Sequence, residues 1–112
     1  MIEYNDFEKV EIRVGTVLEA EDNVKARKPA YVLKIDFGEG IGVKTSSAQL
    51  ATSYEKGELV GKKVIAVMNF GPKNIAGVVS EVLVLGVPAA GGKTALMEPT
   101  AGFEVENGAK LH

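Results

Sequence analysis

The sequence contains no cysteine and no tryptophan, and its one histidine is the last residue, His112. Without cysteine there is no disulfide, no thiol nucleophile and no thiolate metal site. With the only imidazole at the chain end, where it reads as a cloning remnant, histidine acid–base chemistry and histidine-ligated metals go too. No apolar run approaches the roughly 18 residues of a membrane span. The first twenty positions carry Glu3, Asp6, Glu8, Glu11 and Glu19, an acidic start unlike a signal peptide. These absences predict a soluble cytoplasmic protein without membrane insertion, cofactor or metal, and not an enzyme.

What remains is 112 residues, 46% hydrophobic and 25% charged, a composition that predicts one folded domain over residues 1–112. The net charge of −2 hides a gradient. Residues 1–23 set seven carboxylates against two cations, whereas residues 24–44 set five cations against two carboxylates. Residues 45–73 continue the excess with four against two, and residues 74–112 reverse it with two against four. A basic middle in a weakly acidic chain is compatible with a local anion-binding face, although scattered surface cations give the same count.

Apolar residues recur mainly at a period of two, the signature of half-buried strands. Val10, Ile12 and Val14, then Val17 and Leu18, predict a first strand interrupted at Gly15 by a bulge or bend. Residues 22–30 read as a loop, and Tyr31, Leu33, Ile35 and Phe37 fall on one face of a second strand. Gly38-Glu39-Gly40 reads as a tight turn into a third strand opening at Ile41. Residues 46–54, with Ser46 or Ser47 as N-cap and Leu50 four places before Tyr54, predict a short helix ended by Lys56-Gly57. The apolar runs Val64–Met68 and Val82–Val87 predict strands buried on both faces, followed by a Gly-rich hairpin loop at 89–93 and a short strand at 94–97. Asn107-Gly108 is a final turn signal. The expected fold class is all-β with a short helix, a five-stranded OB-fold Greek-key barrel, with an SH3-type barrel as the alternative.

Two glycine-rich stretches fail as phosphate-binding motifs. Gly86 to Thr94 has five residues between Gly86 and the Gly92-Lys93 pair where a P-loop has four, and Pro99 leaves no room for the following helix. Gly38-Glu39-Gly40-Ile41-Gly42 has the wrong spacing for a dinucleotide fingerprint and precedes a strand. Asp36, placed outward between Ile35 and Phe37, has no partner to tune it for catalysis. The informative segment is Val24 to Tyr31, where Lys25, Arg27 and Lys28 crowd beside Pro29 and an aromatic, a combination suited to holding phosphate and stacking a base.

Read in order, Asp6-Phe7-Glu8-Lys9-Val10, Ile12-Arg13-Val14-Gly15, Ala26-Arg27-Lys28-Pro29-Ala30, Ile35-Asp36-Phe37-Gly38, Ser46-Ser47-Ala48-Gln49, Glu58-Leu59-Val60-Gly61, Asn69-Phe70, Ile75-Ala76-Gly77 and Ser80-Glu81-Val82-Leu83 closely resemble the CsaA proteins. Those are homodimeric OB-fold proteins related to the tRNA-binding domains appended to methionyl-tRNA synthetase. The resemblance runs from about residue 6 to residue 88, each motif weak alone and the ordered series strong.

The resemblance implies a protein-export-related molecular chaperone that holds unfolded or precursor polypeptides and associates with the secretion ATPase, with tRNA binding through a basic OB-fold face as the alternative. A generic single-stranded nucleic-acid binder is a further one. For tRNA, it implies phosphate contacts from Arg13, Lys25, Arg27, Lys28, Lys44, Lys62 and Lys73, with hydrogen bonds from Ser46, Ser47, Gln49 and Asn69. For polypeptide, it implies an apolar pocket of Tyr31, Phe37 and Phe70. Apolar residues at both ends, Ile2, Tyr4 and Phe7 with Leu96, Met97, Phe103, Val105 and Leu111, suit a two-fold interface between copies. On that reading, removing residues 1–5 and 103–112 gives a monomer.

Overall fold

The computed structural model describes residues 1–112. Its elements in order are α1 (Tyr4–Glu8), β1 (Ile12–Asp22), β2 (Tyr31–Asp36), β3 (Val43–Ala48), α2 (Lys56–Leu59), β4 (Lys63–Val67), β5 (Lys73–Ile75), β6 (Val78–Ser80), β7 (Leu83–Val84), β8 (Gly86–Ala89) and β9 (Lys93–Leu96). The eleven-residue β1 is long enough to serve two neighbours. Its first half, Ile12 to Thr16, pairs antiparallel with β4, and its second half, Thr16 to Asp22, pairs with β2. The resulting five-stranded order is β3-β2-β1-β4-β7. The sheet curls until its outer strands meet: the Glu81 N–H donates to the Thr45 carbonyl at 2.8 Å, and the Thr45 N–H donates to Glu81 Oε1 at 3.0 Å. The Ser47 N–H adds a bond to Ser80 Oγ at 3.1 Å. This nearly closed, mostly β barrel with two short helices is the expected OB-fold, α2 lying between the third and fourth barrel strands.

The alternation in β2 fixes the core. Tyr31, Leu33 and Ile35, followed by Phe37, all face inward and meet Val17, Leu59, Val64, Ala66 and Val82. Leu33, Ile35 and Phe37 are wholly buried, each worth about 1.5–3 kcal/mol of transfer from water. Gly15 is regular, paired with Val64, and the irregularity in β1 falls between Val17 and Glu19 instead. The reason for glycine is space: a Cβ at position 15 meets Ile35 Cγ2 at 2.7 Å and Phe37 Cδ1 at 2.8 Å. The bulge that bends β1 sits at Leu18, whose side chain is exposed.

Several local expectations are corrected. Ser46 and Ser47 cap no helix; they lie in β3, which pairs with β2 from Tyr31↔Ala48 to Asp36↔Val43. Six paired residues on a curling sheet outweigh the capping preference of two serines. The spacing of Leu50 and Tyr54 is real but yields one turn, the N–H groups of Ser53 and Tyr54 both donating to the Leu50 carbonyl at 2.9 Å. The helix comes later, and Lys56-Gly57 begins it, with the Glu55 N–H held by Glu58 Oε1 at 2.8 Å. Residues 82–87 split into β7, on the barrel, and β8, which pairs away from it with β9, leaving Leu83 and Val87 exposed. The β5–β6 hairpin, turned by Ala76 and Gly77 at positive φ, and helix α1 had no clear period to betray them.

The C-terminal segment completes the barrel. Where β2 has parted from β1, Gly108 and Leu111 donate their N–H groups to Val14 and Ile12 carbonyls at 2.7 and 2.8 Å, and Val14 N–H donates to Ala109 at 3.0 Å. Removing residues 103–112 therefore strips a β1 edge partner, so truncation there is a fold lesion as well as an interface lesion.

Candidate nucleic-acid interface

Loop 23–30 begins and ends on a backbone bond, Asn23 N–H to the Ala30 carbonyl at 2.9 Å. Asn23 is buried although polar, and its carboxamide serves three neighbours. Its Oδ1 accepts from the Lys25 N–H at 3.1 Å, while Nδ2 reaches the Ala76 carbonyl at 3.3 Å and Ser47 Oγ at 3.5 Å. One side chain thus ties the basic loop to β3 and to the tip of the β5–β6 hairpin. The hairpin tip presses on the loop, since a Cβ at Gly77 meets Lys25 Cδ at 2.7 Å.

Between these three pieces opens a cleft of about 540 Å³, lined by Lys25, Arg27, Lys28, Ser47, Gln49, Ile75, Ala76 and Gly77 among others. Lys25, Arg27, Lys28 and Gln49 are exposed. None of the three cations joins an ion pair; the pairs in the molecule are Lys9–Asp6, Arg13–Glu11, Lys56–Asp22 and Lys62–Glu98. Lys73, on exposed β5, is likewise unpaired and lies on the far side of the same hairpin. Lys25, Arg27 and Lys28 converge on one concavity whose lining holds no carboxylate, and so create a field that anions can use.

Other residues expected to contact RNA stand elsewhere or are already engaged. Arg13 donates from Nε to Glu11 Oε2 at 2.7 Å and from a terminal nitrogen to the Gly108 carbonyl at 2.7 Å, holding the C-terminal segment. Asn69 uses both ends of its amide, accepting from the Glu11 N–H at 2.9 Å and donating to the Lys9 carbonyl at 2.7 Å. Lys62 pairs with Glu98 at 3.1 Å and lies 5.7 Å from the Tyr54 ring centre. Ser46 is buried, and Lys44 is half-buried opposite Ile35, on the core side of β3. The pocket expected from Tyr31, Phe37 and Phe70 does not form. Tyr31 and Phe37 are core side chains at 5% and 0% exposure, the Tyr31 hydroxyl donating to the Tyr54 carbonyl at 2.8 Å. With no tryptophan, the barrel fills its centre with these rings. Phe70 alone is available, and it borders a second, smaller concavity across the hairpin.

Asn23 was missed because nothing in its local sequence marks it; its partners lie 24 and 53 residues away. The Lys56 ammonium has its pKa raised by its hydrogen bond to Asp22 and by the attraction of the same carboxylate. It lies outside the cleft.

A family model described as "Putative tRNA binding domain" matches residues 12–110. Methionine–tRNA ligase of Flavobacterium johnsoniae is 38% identical over 112 residues, all of this chain and 15% of that protein. The ligase of Bacteroides fragilis is 37% identical over 110 residues, 98% of this chain and 16% of its own length. The chain therefore spans about one-sixth of these relatives. Among solved structures, the CsaA chaperone protein from Picrophilus torridus superposes with a TM-score of 0.90 at 54% identity, covering 100% of both chains. Chaperone CsaA from Bacillus anthracis gives 0.89 at 47%, covering 100% and 99%. A MetRS-related protein from Pyrococcus horikoshii gives 0.85 at 30%, covering 100% and 98%.

Proposed function

The chain belongs to the tRNA-binding domain family and stands with the CsaA proteins within it, and from that premise we propose that it is a non-catalytic tRNA-binding protein. The observation that carries this reading is the cleft in which Lys25, Arg27 and Lys28 gather without a carboxylate partner beside Ser47 and Gln49. Its walls are the loop after the first barrel strand and the hairpin between the fourth and fifth, the loops with which OB-folds hold oligonucleotides. The cations take phosphate oxygens, and the serine and glutamine take sugar or base edges. Specificity for a folded RNA arises from shape, because few side chains reach the bases.

Tyr4, Phe103, Met97 and Leu111 are exposed, as is Ile2. Their burial between two copies would give a homodimer whose two clefts engage one RNA with the gain of bivalency. A second reading, holding of unfolded or precursor polypeptide, draws support from the apolar concavity beside Phe70 and from the names of the two CsaA relatives. Partnership with a secretion ATPase belongs to that reading alone.

The deciding experiment titrates the purified chain with total tRNA across a salt series, with a denatured precursor protein as competitor. Micromolar binding that weakens steeply with salt and resists the competitor supports the RNA reading. No tRNA binding at low salt, with the precursor kept soluble, replaces it with polypeptide holding.

A further inference from the structure

Across the β5–β6 hairpin from the basic cleft lies a concavity of about 260 Å³ whose walls include Phe70, Lys73, Ile75, Glu81 and Leu83. It is smaller than the roughly 300–1,000 Å³ pockets that enclose drug-sized ligands, a size suited to one planar group. Ile75 lines both concavities, so the two share a wall in the β5–β6 hairpin. Phe70 is 61% exposed, one of the aromatic rings in the chain that is free to stack.

The unexplained feature is Glu81. A carboxylate beside a phosphate-binding cleft repels the RNA backbone, yet here it is fixed in place. Its N–H and its Oε1 form the two bonds to Thr45 that close the barrel seam. No cation pairs with it, and Oε2 has no hydrogen-bond partner. A pre-positioned lone acceptor next to a free aromatic face is suited to a base that carries an exocyclic amine. Cytosine and adenine each offer such a donor, whereas the corresponding position of uracil is a carbonyl that the carboxylate repels.

We propose that this groove is a subsite for one unstacked, amino-bearing base of the bound RNA. The base lies on the Phe70 ring, donates its amine to Glu81 Oε2, and its phosphate lies toward Lys73. The proposal rests on the RNA reading above and adds a base preference to it.

The test uses the full chain with short oligo(C), oligo(A) and oligo(U) and with total tRNA, comparing wild type, Phe70→Ala, Glu81→Gln and the double change Arg27→Glu with Lys28→Glu. Wild type is expected to bind oligo(C) and oligo(A) about five- to tenfold more tightly than oligo(U). Glu81→Gln keeps an oxygen for the Thr45 N–H, so the seam survives, and it abolishes that preference. Phe70→Ala weakens all three by about tenfold, since a sequence-tolerant stack is lost. Phe70 is exposed, so the variant folds, which a thermal melt verifies.

Failure has distinct forms. If tRNA binds but wild type shows no base preference, or neither variant changes binding, the subsite is overturned and the RNA reading stands. If Phe70→Ala loses only capture of a denatured protein, the groove belongs to polypeptide and the proposal is overturned. If neither tRNA nor any oligonucleotide binds at low salt, both readings fall.

Discussion

Two sets of cations on the barrel are held in opposite ways. Around the C-terminal segment and α2, Arg13, Lys62 and Lys56 are each matched to a carboxylate, and Lys63 donates to Asn107 Oδ1 at 2.8 Å. Around loop 23–30 and the β5–β6 hairpin, Lys25, Arg27, Lys28 and Lys73 have none. The same residue types therefore do different work. Paired cations close the barrel and hold its tail, and unpaired cations leave an electrostatic demand that a ligand must meet. Sequence counts of charge cannot separate the two, because the pairing is decided by which strands the fold brings together.

Substitutions in the two sets should separate along that line. The largest effect is expected from Arg27→Glu with Lys28→Glu, which turns attraction into repulsion: tRNA affinity falls by about 100-fold or more. The melting temperature holds, because neither side chain has a partner to lose. Next comes Arg13→Ala. It removes two bonds, one of them to a carbonyl 95 residues away that holds the C-terminal segment, and lowers stability by about 2 kcal/mol. The affinity of the folded protein for tRNA stays unchanged, as a denaturation curve and a titration on the same sample verify.

Asn23→Ala sits between these classes. Stability falls by about 1 kcal/mol as the Ala76 carbonyl and Lys25 N–H lose their partner. Because loop and hairpin come apart, tRNA affinity falls by roughly fivefold as well. A loss of stability alone, with tRNA affinity intact, would make Asn23 a structural residue only.

The smallest effect belongs to Lys56. Its pKa lies above the ordinary 10.5 because of Asp22, so the pair favours the folded state while Lys56 is charged in both states. That advantage is present below the unfolded value and disappears as pH rises through the higher folded one. The Lys56 and Asp22 side chains are 43% and 64% exposed, so screening keeps the effect small. Lys56→Gln should melt marginally below wild type at neutral pH and together with it once the pH has risen through the folded-state value.

How much of this was legible follows the range of each interaction. The inward row of Tyr31, Leu33, Ile35 and Phe37 is a period-two pattern within seven positions, and it placed the core strand correctly. That same pattern implies Tyr31 and Phe37 are buried, so assigning them to a peptide pocket conflicted with a signal already present. The turn at Gly38-Glu39-Gly40 was equally local, with Gly42 N–H returning to the Gly38 carbonyl at 2.8 Å. Ser46 and Ser47 misled because capping preference is local while strand pairing is not, and the pairing won. At the site, the basic run of loop 23–30 was visible as a cluster. Its grouping with Ser47 and Gln49 came from the resemblance and not from spacing, and its joining to the hairpin was not visible, since that depends on Asn23 and on barrel closure. The engagement of Arg13 by Gly108 and of Lys62 by Glu98 was invisible for the same reason.

The contrast between the two sets is tested most directly by the salt dependence of tRNA binding in two matched double variants. One is Arg27→Ala with Lys28→Ala, and the other is Lys56→Ala with Lys62→Ala; each removes two positive charges. Each phosphate contact contributes about 0.7–0.9 to the slope of log affinity against log salt. The loop variant should flatten the slope by about 1.5 while the paired-cation variant keeps the wild-type slope. Equal flattening in both would contradict the account, showing that net charge, and not the unpaired cleft, draws the RNA.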